Sequence, residues 1–334
     1  MAFMKRLEKI PIRILVTGSR GKSSIVRLLS AALSGYGLSV MGRITGVLPR
    51  ELNGRKECLI LRSGPGTVEE MRWWLSSLPL GLDAVVMENS AVAPELQPLA
   101  WNWLRPGCTV LTNVRPDHEE VWGRGEEMAS LALCSAIGGG PVVLPFSVAE
   151  KNFVSQILYE QGCILHPCPD GETFSEGHLS IVKETCRLFG LEADKCAAFA
   201  AALPPDIADF NVFREGEGCL ASAFSANDPE STESLFLSLG WKREETTVLY
   251  NSRKDRIGRL RSFASWFSGF PWKRVLIAGS RPFPLPGRTQ YVSLPSVESM
   301  KHFIRTGGNV FGCGNVAGAP LEYLLQCPEE EAIV

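Results

Sequence analysis

No run of apolar residues approaches the roughly eighteen that a membrane-crossing helix needs. Nor does a stretch of signal-peptide length follow the charged opening segment from Met1 to Ile10. The expectation is a cytoplasmic chain, with any membrane contact made through a partner. Net charge is scarce too: 34 Lys and Arg against 36 Asp and Glu leave a formal −2, so the overall balance offers nothing to a nucleic acid. Ten cysteines are present without paired spacing, which fits free thiols in a reducing compartment better than a disulfide framework. Cys163, His166 and Cys168 could be drawn as metal ligands, but a fourth is missing, and a strand edge with buried thiols is the better reading. There is no internal repeat and no low-complexity segment. What remains is an ordinary globular composition, 45% hydrophobic and 21% charged, in 334 residues that suffice for two cores.

The informative stretch is Ile12-Arg-Ile-Leu-Val-Thr-Gly18-Ser19-Arg20-Gly21-Lys22-Ser23-Ser24. Alternating β-branched residues predict a strand buried in a parallel sheet. Gly18 and Gly21 let the backbone curl so that successive N–H groups point at one anion. Lys22 adds a mobile positive charge, and Ser23 places a hydroxyl where a phosphate loop needs a Mg²⁺ ligand. A helix over 22–35 brings its positive end to the same point. The strict G-x-x-x-x-G-K-[ST] pattern is missed by one glycine, since residue 16 is Val16 and Gly18 comes two places later.

Further along, strands are expected at 38–41, 58–61, 83–88, 108–113, 141–145 and 163–165. A turn that could fold back over a nucleotide is expected at Gly42–Gly46, a helix capped by Thr67 over 67–77, and helices over 148–160, 178–189 and 193–202. Trp73 and Trp74 fit packing against the core or lying at its rim. Ligand chemistry in parallel sheets sits at the carboxyl ends of strands. Three such ends carry Gly18–Ser23, Glu88 and Asn113–His118, and a carboxylate with an imidazole there could hold Mg²⁺ beside phosphates. Leu203-Pro-Pro-Asp206 marks a boundary, giving domains 1–205 and 206–334. The second domain restarts the α/β alternation, with strands near 218–224, 246–250, 274–278 and 309–312. Its strand ends carry Asn227, Asp228, Asn251, Arg253 and Arg256, fit to close over a nucleotide, although Asn and Asp are also common turn residues. The acidic Glu329–Glu331 tail reads as disordered.

With those motifs in hand the chain resembles the Mur-ligase superfamily, and within it the poly-γ-glutamate synthase ligase-subunit family, CapB or PgsB. Thr17–Ser24 looks like that family's phosphate loop, Val-Met-Glu88-Asn-Ser-Ala its Mg²⁺ segment, and Thr-Asn113-Val-Arg-Pro-Asp117-His118 its T-N-x-x-x-D-H motif. The segments around Asn227–Thr232, Asn251–Arg256 and Gly312–Asn315 look like its C-terminal motifs. The resemblance implies an α/β fold: a P-loop ATPase domain with a mostly parallel sheet, then a smaller Rossmann-like domain. These would be the Mur central and C-terminal domains, with no UDP-binding domain ahead of a loop that starts at residue 17.

It also implies an ATP-dependent carboxylate–amine ligase acting on glutamate or a γ-glutamyl chain through an acyl phosphate. ATP and Mg²⁺ are the implied cofactors. Lys22 and residues 18–24 would hold phosphates; Ser23 and Glu88 the first metal, His118 the second; Arg253 and Arg256 phosphate or a substrate carboxylate. Asn113, Asn227, Asp228 and Asn251 would line the nucleotide site. A membrane-protein partner subunit or a homo-oligomer is compatible with this, and nucleic acid is not expected. Two departures stand out. Residues 125–140 contain no lysine that could be carbamylated, and Asn211 stands where relatives place an arginine, with Arg214 nearby as a substitute. They keep two rivals open: a P-loop kinase or NTPase, and a weakly catalytic nucleotide-binding subunit of a polymer synthase.

Overall fold

A computed structural model describes residues 2–46, 48–54, 56–61, 66–204, 206–207, 209–226, 228–326 and 332–333. The chain divides into two compact units, Met1–Pro204 and Pro205–Val334.

The first unit is built on an eight-stranded sheet. Its strands are β1 (Ile12–Thr17), β2 (Val40–Ile44), β3 (Arg50–Asn53), β4 (Lys56–Leu59), β5 (Ala84–Glu88), β6 (Cys108–Leu111), β7 (Gly140–Pro145) and β8 (Cys163–Cys168). They lie in the order β4-β3-β2-β5-β1-β6-β7-β8. All neighbours from β2 to β8 pair in parallel; β3 and β4 add an antiparallel hairpin at one edge. β1 is central because both its faces are covered. Ile14 and Val16 pack under the helix Lys22–Gly35, while Leu15 packs on the other face with Met71, Trp74 and Leu104. That is why the strand is a continuous apolar run rather than an alternating one. Trp74 is 7% exposed and its Nε1 donates to Glu51 Oε2, whereas Trp73 is 63% exposed at the rim.

The local expectations need correction at several places. β2 runs through Gly42 and Arg43, where a turn was expected. A Cβ on Gly42 would lie 2.5 Å from Ser30 Oγ, so this glycine lets the helix 22–35 sit close on the strand and does not turn the chain. The single strand expected at 58–61 is instead the β3–β4 hairpin. The helix expected from Thr67 begins at Glu69, with Val68 at its cap and no capping side chain. The helix expected over 148–160 is two, Phe146–Ala149 and Asn152–Glu160. Helix Phe174–Leu188 starts before 178 because Thr173 and Glu176 form a capping box. Cys163 and Cys168 are buried at the ends of edge strand β8, and among the described residues no cluster of three His, Cys, Asp or Glu could hold a metal. The nine described cysteines are all free thiols. No helix of the described residues is long and apolar enough to cross a membrane.

The second unit has seven strands: β9 (Asn211–Glu215), β10 (Gly218–Ala223), β11 (Thr246–Ser252), β12 (Arg274–Gly279), β13 (Gln290–Tyr291), β14 (Asn309–Cys313) and β15 (Ala332–Ile333). Their order is β13-β12-β11-β14-β10-β9-β15, parallel from β13 to β10, with β9 and β15 antiparallel. Its core is aromatic: Phe236, Tyr250, Phe263, Trp266, Phe267 and Phe311 pack together. β9 was not foreseen. Asn211 and Arg214 are three apart on it and therefore point to opposite faces, so Arg214 cannot take the place of a side chain at Asn211. Residues 329–331, expected as a disordered tail, lie outside the described residues.

The double coverage of β1 sets a stability expectation. Leu15→Ala removes a fully buried side chain and should cost about 2–5 kcal/mol, read as a lower denaturation midpoint for the first unit.

Candidate active site

The carboxyl ends of β1, β5 and β6 are level: Val16 is registered with Glu88, and Thr17 with Leu111. The three motifs thus leave the sheet at one edge. β1 passes into a loop in which Gly18 has φ +131° and Gly21 φ +76°. Helix Lys22–Gly35 starts with Gly21 as its N-cap and no capping side chain, which leaves the first-turn N–H groups, Ser23 and Ser24 included, for an anion. Gly18 is obligatory for a second reason, since a Cβ there would lie 2.1 Å from Thr112 Oγ1.

The loop is held against the exit of β6. The Asn113 side-chain oxygen accepts from Ser19 Oγ at 2.6 Å and from the Arg20 N–H at 3.2 Å, while its Nδ2 donates to the Arg20 carbonyl at 3.0 Å. Thr112 Oγ1 donates to that same carbonyl. The Arg20 guanidinium pairs with Asp117 at 2.7 Å. Asn113 therefore shapes the phosphate loop from below.

Lys22 Nζ donates to the Gly18 carbonyl at 2.6 Å. Burial lowers the pKa of its ammonium; Glu88 and Asp117 pull it back up, and Arg20 adds to the lowering. Negative charge arriving at the loop would favour the charged ammonium and oppose the effect of burial. Ser23 Oγ donates to Glu88 Oε2 at 3.0 Å, and the Thr45 N–H donates to the same oxygen at 2.8 Å. Glu88 is 4% exposed. A hydroxyl and a carboxylate in contact form an all-oxygen donor pair of the kind a hard divalent cation takes, its remaining places going to phosphate oxygens and water.

His118 has φ +46°, a strained conformation for a residue with a Cβ. Its Nε2 lies 3.7 Å from Asp117 Oδ2, its Nδ1 3.6 Å from Glu120 Oε1, and its ring 5.3 Å from Trp122. The imidazole is thus held among carboxylates of its own loop.

Of the segment expected to fold back over a nucleotide, Thr45 and Gly46 follow β2 and lie over Ser23; a Cβ on Gly46 would lie 2.6 Å from Ser23 Oγ. His178 was not foreseen: on the helix Phe174–Leu188, it presses on the phosphate loop, with Nε2 2.9 Å from where a Gly21 Cβ would stand. No spacing in the sequence links His178 to the loop.

In the second unit the expected residues take varied parts. Asn227 lies outside the described residues. Asp228 caps the helix Pro229–Ser238 by accepting from the Ser231 N–H at 2.8 Å, a role the Asp-Pro sequence itself encodes. Asn251 is 3% exposed. Its Nδ2 donates to the Asn315 and Ala317 carbonyls at 2.7 and 2.9 Å, and Asn315 Nδ2 returns a bond to the Asn251 carbonyl. Expected to face a nucleotide, Asn251 instead ties the exits of β11 and β14 together, because a buried amide must spend its donors internally. Arg259, also unforeseen, completes the brace through Gly314 O and Asn315 Oδ1. Arg253 is exposed and Arg256 half-buried at the β11 exit.

Residues 207–330 match the family model described as the poly-γ-glutamate synthase CapB C-terminal domain. The capsule biosynthesis protein CapB of Bacillus anthracis is 23% identical, over 98% of this chain and 79% of its own length. The chain is thus similar to CapB, through a family-model match in its second unit and a distant likeness along nearly its whole length. The solved structure of MurF from Acinetobacter baumannii superposes with a TM-score of 0.70 at 12% identity, covering 98% of this chain and 79% of that one. Escherichia coli FolC in complex with DHPP and ADP gives 0.67 at 16%, covering 97% and 91%. These likenesses show the fold of the chain: mostly parallel α/β, as the motifs implied.

Two outcomes follow from this geometry. Gly18→Ala should weaken binding of a fluorescent ADP by roughly tenfold or more, because the substitution is strained at that φ and meets Thr112. Burial lowers the His178 pKa to about 4 from 6.5. The unfolded chain then binds the proton more readily, so stability should be full above about pH 6.5 and fall as pH drops toward about 4. His178→Gln should flatten that slope in pH-dependent denaturation.

Proposed function

We propose that this chain is an ATP-dependent carboxylate–amine ligase that forms γ-glutamyl amide bonds. The observation that carries the proposal is the assembly at one sheet edge of an uncapped glycine loop, a half-buried Lys22, and a Ser23–Glu88 oxygen pair. That the matched family is a poly-γ-glutamate synthase family supports glutamate or a γ-glutamyl chain as the carboxylate.

In this reading the loop N–H groups of 18–23 and the Lys22 ammonium hold the triphosphate. A substrate carboxylate oxygen attacks the γ-phosphorus, the bond to the ADP oxygen breaks, and ADP leaves. An amine nitrogen then attacks the acyl carbon, the C–O bond to the phosphoryl group breaks and phosphate leaves with that electron pair, and the amine proton passes to solvent or a nearby base. Lys22 supports charge on the transferring group, and positioning supplies most of the rate. Ser23 and Glu88 would hold Mg²⁺, which neutralises phosphate charge when bound. His118, in its strained loop, is assigned to a second metal, with Asp117 and Glu120 as the nearest carboxylates. Arg20 holds Asp117 in place. Asn113 acts through the loop's shape. In the second unit Arg253 and Arg256 are assigned to a phosphate or a substrate carboxylate, whose two oxygens match a guanidinium fork. Asp228 and Asn251 serve that edge by shaping it. The domains 1–205 and 206–334 would be the ATP-binding and ligase halves. The reaction belongs where ATP is supplied, in the cytoplasm, and a membrane-protein partner or a second copy of the chain would complete a polymer synthase.

The test is a hydroxamate assay with ATP, Mg²⁺, hydroxylamine and L- or D-glutamate or a γ-glutamyl oligomer. Hydroxamate should form with one of these donors, together with ADP. Glu88→Gln should lower the rate roughly a hundredfold while the variant stays folded. ADP release without hydroxamate on any donor would favour an NTPase or kinase instead, and absence of both would favour a nucleotide-binding subunit.

A further inference from the structure

Trp122 is the residue through which the exit of β5 reaches the exit of β6. The segment after β5 is closed on itself by two buried amides, Asn89 and Gln97. Asn89 Nδ2 donates to Gln97 Oε1 at 2.9 Å, Gln97 Nε2 donates to the Ala91 carbonyl at 2.9 Å, and the Ala91 N–H donates to Asn89 Oδ1 at 3.0 Å. The Asn89 N–H also donates to the Val16 carbonyl of β1 at 2.9 Å, so this segment is fixed to the sheet beside Glu88. Its Val92 carbonyl accepts from Trp122 Nε1 at 2.6 Å. Trp122 is buried in one apolar cluster with Val114, Ala129 and Leu133.

The same side chain closes the His118 loop. Trp122 ends the four-residue helix Glu119–Trp122, and the Val121 and Trp122 N–H groups both donate to the His118 carbonyl, at 2.8 and 2.9 Å. A helix of one turn does not hold itself together, so its place depends on what Trp122 is anchored to. The indole lies 5.3 Å from the imidazole, with the two planes at 53°. The Asp117 and Glu120 oxygens, at 3.7 and 3.6 Å, are beyond hydrogen-bond reach and do not by themselves fix the plane of the ring.

We propose that Trp122 is a positioning residue for His118: it sets the plane of the imidazole and ties it to the segment that carries Glu88. The inference rests on the assignment of His118 to a second metal and adds the residue that makes a rigid ligand of it. An imidazole binds a cation through a ring nitrogen in one orientation, so a ring that swings loses affinity even when every ligand is present. Glu88 and His118 belong to the exits of different strands, β5 and β6. The Trp122–Val92 bond joins those exits without passing through the phosphate loop.

The experiment counts Mn²⁺ bound to the full chain by electron spin resonance, with a non-hydrolysable ATP analogue present. The parent should bind two ions, and His118→Asn should lose the weaker. Trp122→Leu should bind that second ion roughly tenfold more weakly or worse, while the first ion and fluorescent ADP bind as in the parent. Trp122→Phe keeps a ring against the imidazole and drops the Nε1–Val92 bond, so its affinity should fall between the two. In the hydroxamate assay the same loss should appear as a raised Mg²⁺ requirement, with the rate recovered at saturating Mg²⁺. A misfolded variant would lose ADP binding as well; if Trp122→Leu does so, Trp122→Phe carries the test. Parent-like affinity for both ions in every folded Trp122 variant overturns the proposal and leaves the His118 assignment standing. A single ion in the parent, or two ions undisturbed in His118→Asn, overturns the assignment and the proposal with it. Spin resonance needs no turnover, so absent hydroxamate formation counts against the ligase reading alone.

Discussion

The amide of Asn113 is the contact on which the first unit's site depends. A phosphate loop is a backbone conformation that leaves N–H groups unpaired, and such a conformation needs something beneath it to hold its shape. Asn113 does this with both ends of one side chain, accepting from Ser19 and Arg20 and donating to the Arg20 carbonyl. The carbonyl is thereby turned away from the anion side and the N–H groups are left facing it. Because Asn113 sits one residue beyond Thr112 at the end of β6, the loop's shape is set by the register of β1 against β6. Gly18 follows from the same contact, since the approach to Thr112 leaves no room for a side chain.

Around that contact the charges are balanced in a way that suits an anionic ligand. Lys22 is half-buried with Glu88 and Asp117 as its counter-charges, and Arg20 shares Asp117. Ser23 and the Thr45 N–H both serve one Glu88 oxygen, which fixes the carboxylate at the sheet edge. In the second unit the equivalent work is done by neutral amides. Asn251 and Asn315 exchange bonds between the β11 and β14 exits, with Arg253 exposed and Arg256 half-buried beyond them. One unit therefore presents N–H groups and an oxygen pair, the other guanidinium groups, each on the carboxyl edge of a parallel sheet.

The places where the sequence misled share a cause. Gly42 looks like a turn because glycine usually turns, yet its missing side chain serves the close packing of Ser30. Asn251 and Asp228 look like ligands because polar residues after strands often are, yet one is a buried brace and the other a helix cap. His178 gave no sign at all, since only packing brings it to the loop. Each misreading concerns a side chain whose partner lies far away in sequence.

What the chain determines locally is substantial. The apolar run at 12–17, the glycines, Lys22 and the helix behind them specify strand, loop and helix start almost residue for residue, because these depend on φ preferences, apolar period and neighbours along the chain. The strand-end motifs at Glu88 and Asn113–His118 lie, as their positions after apolar runs imply, at one edge of the sheet, and the two prolines fall where the chain divides into its units. The tertiary structure decided which of the polar residues keep their hydrogen bonds inside and which remain to meet a ligand. That decision follows from burial, and burial follows from register between strands up to about a hundred residues apart, such as β1 with β6, which no local pattern encodes.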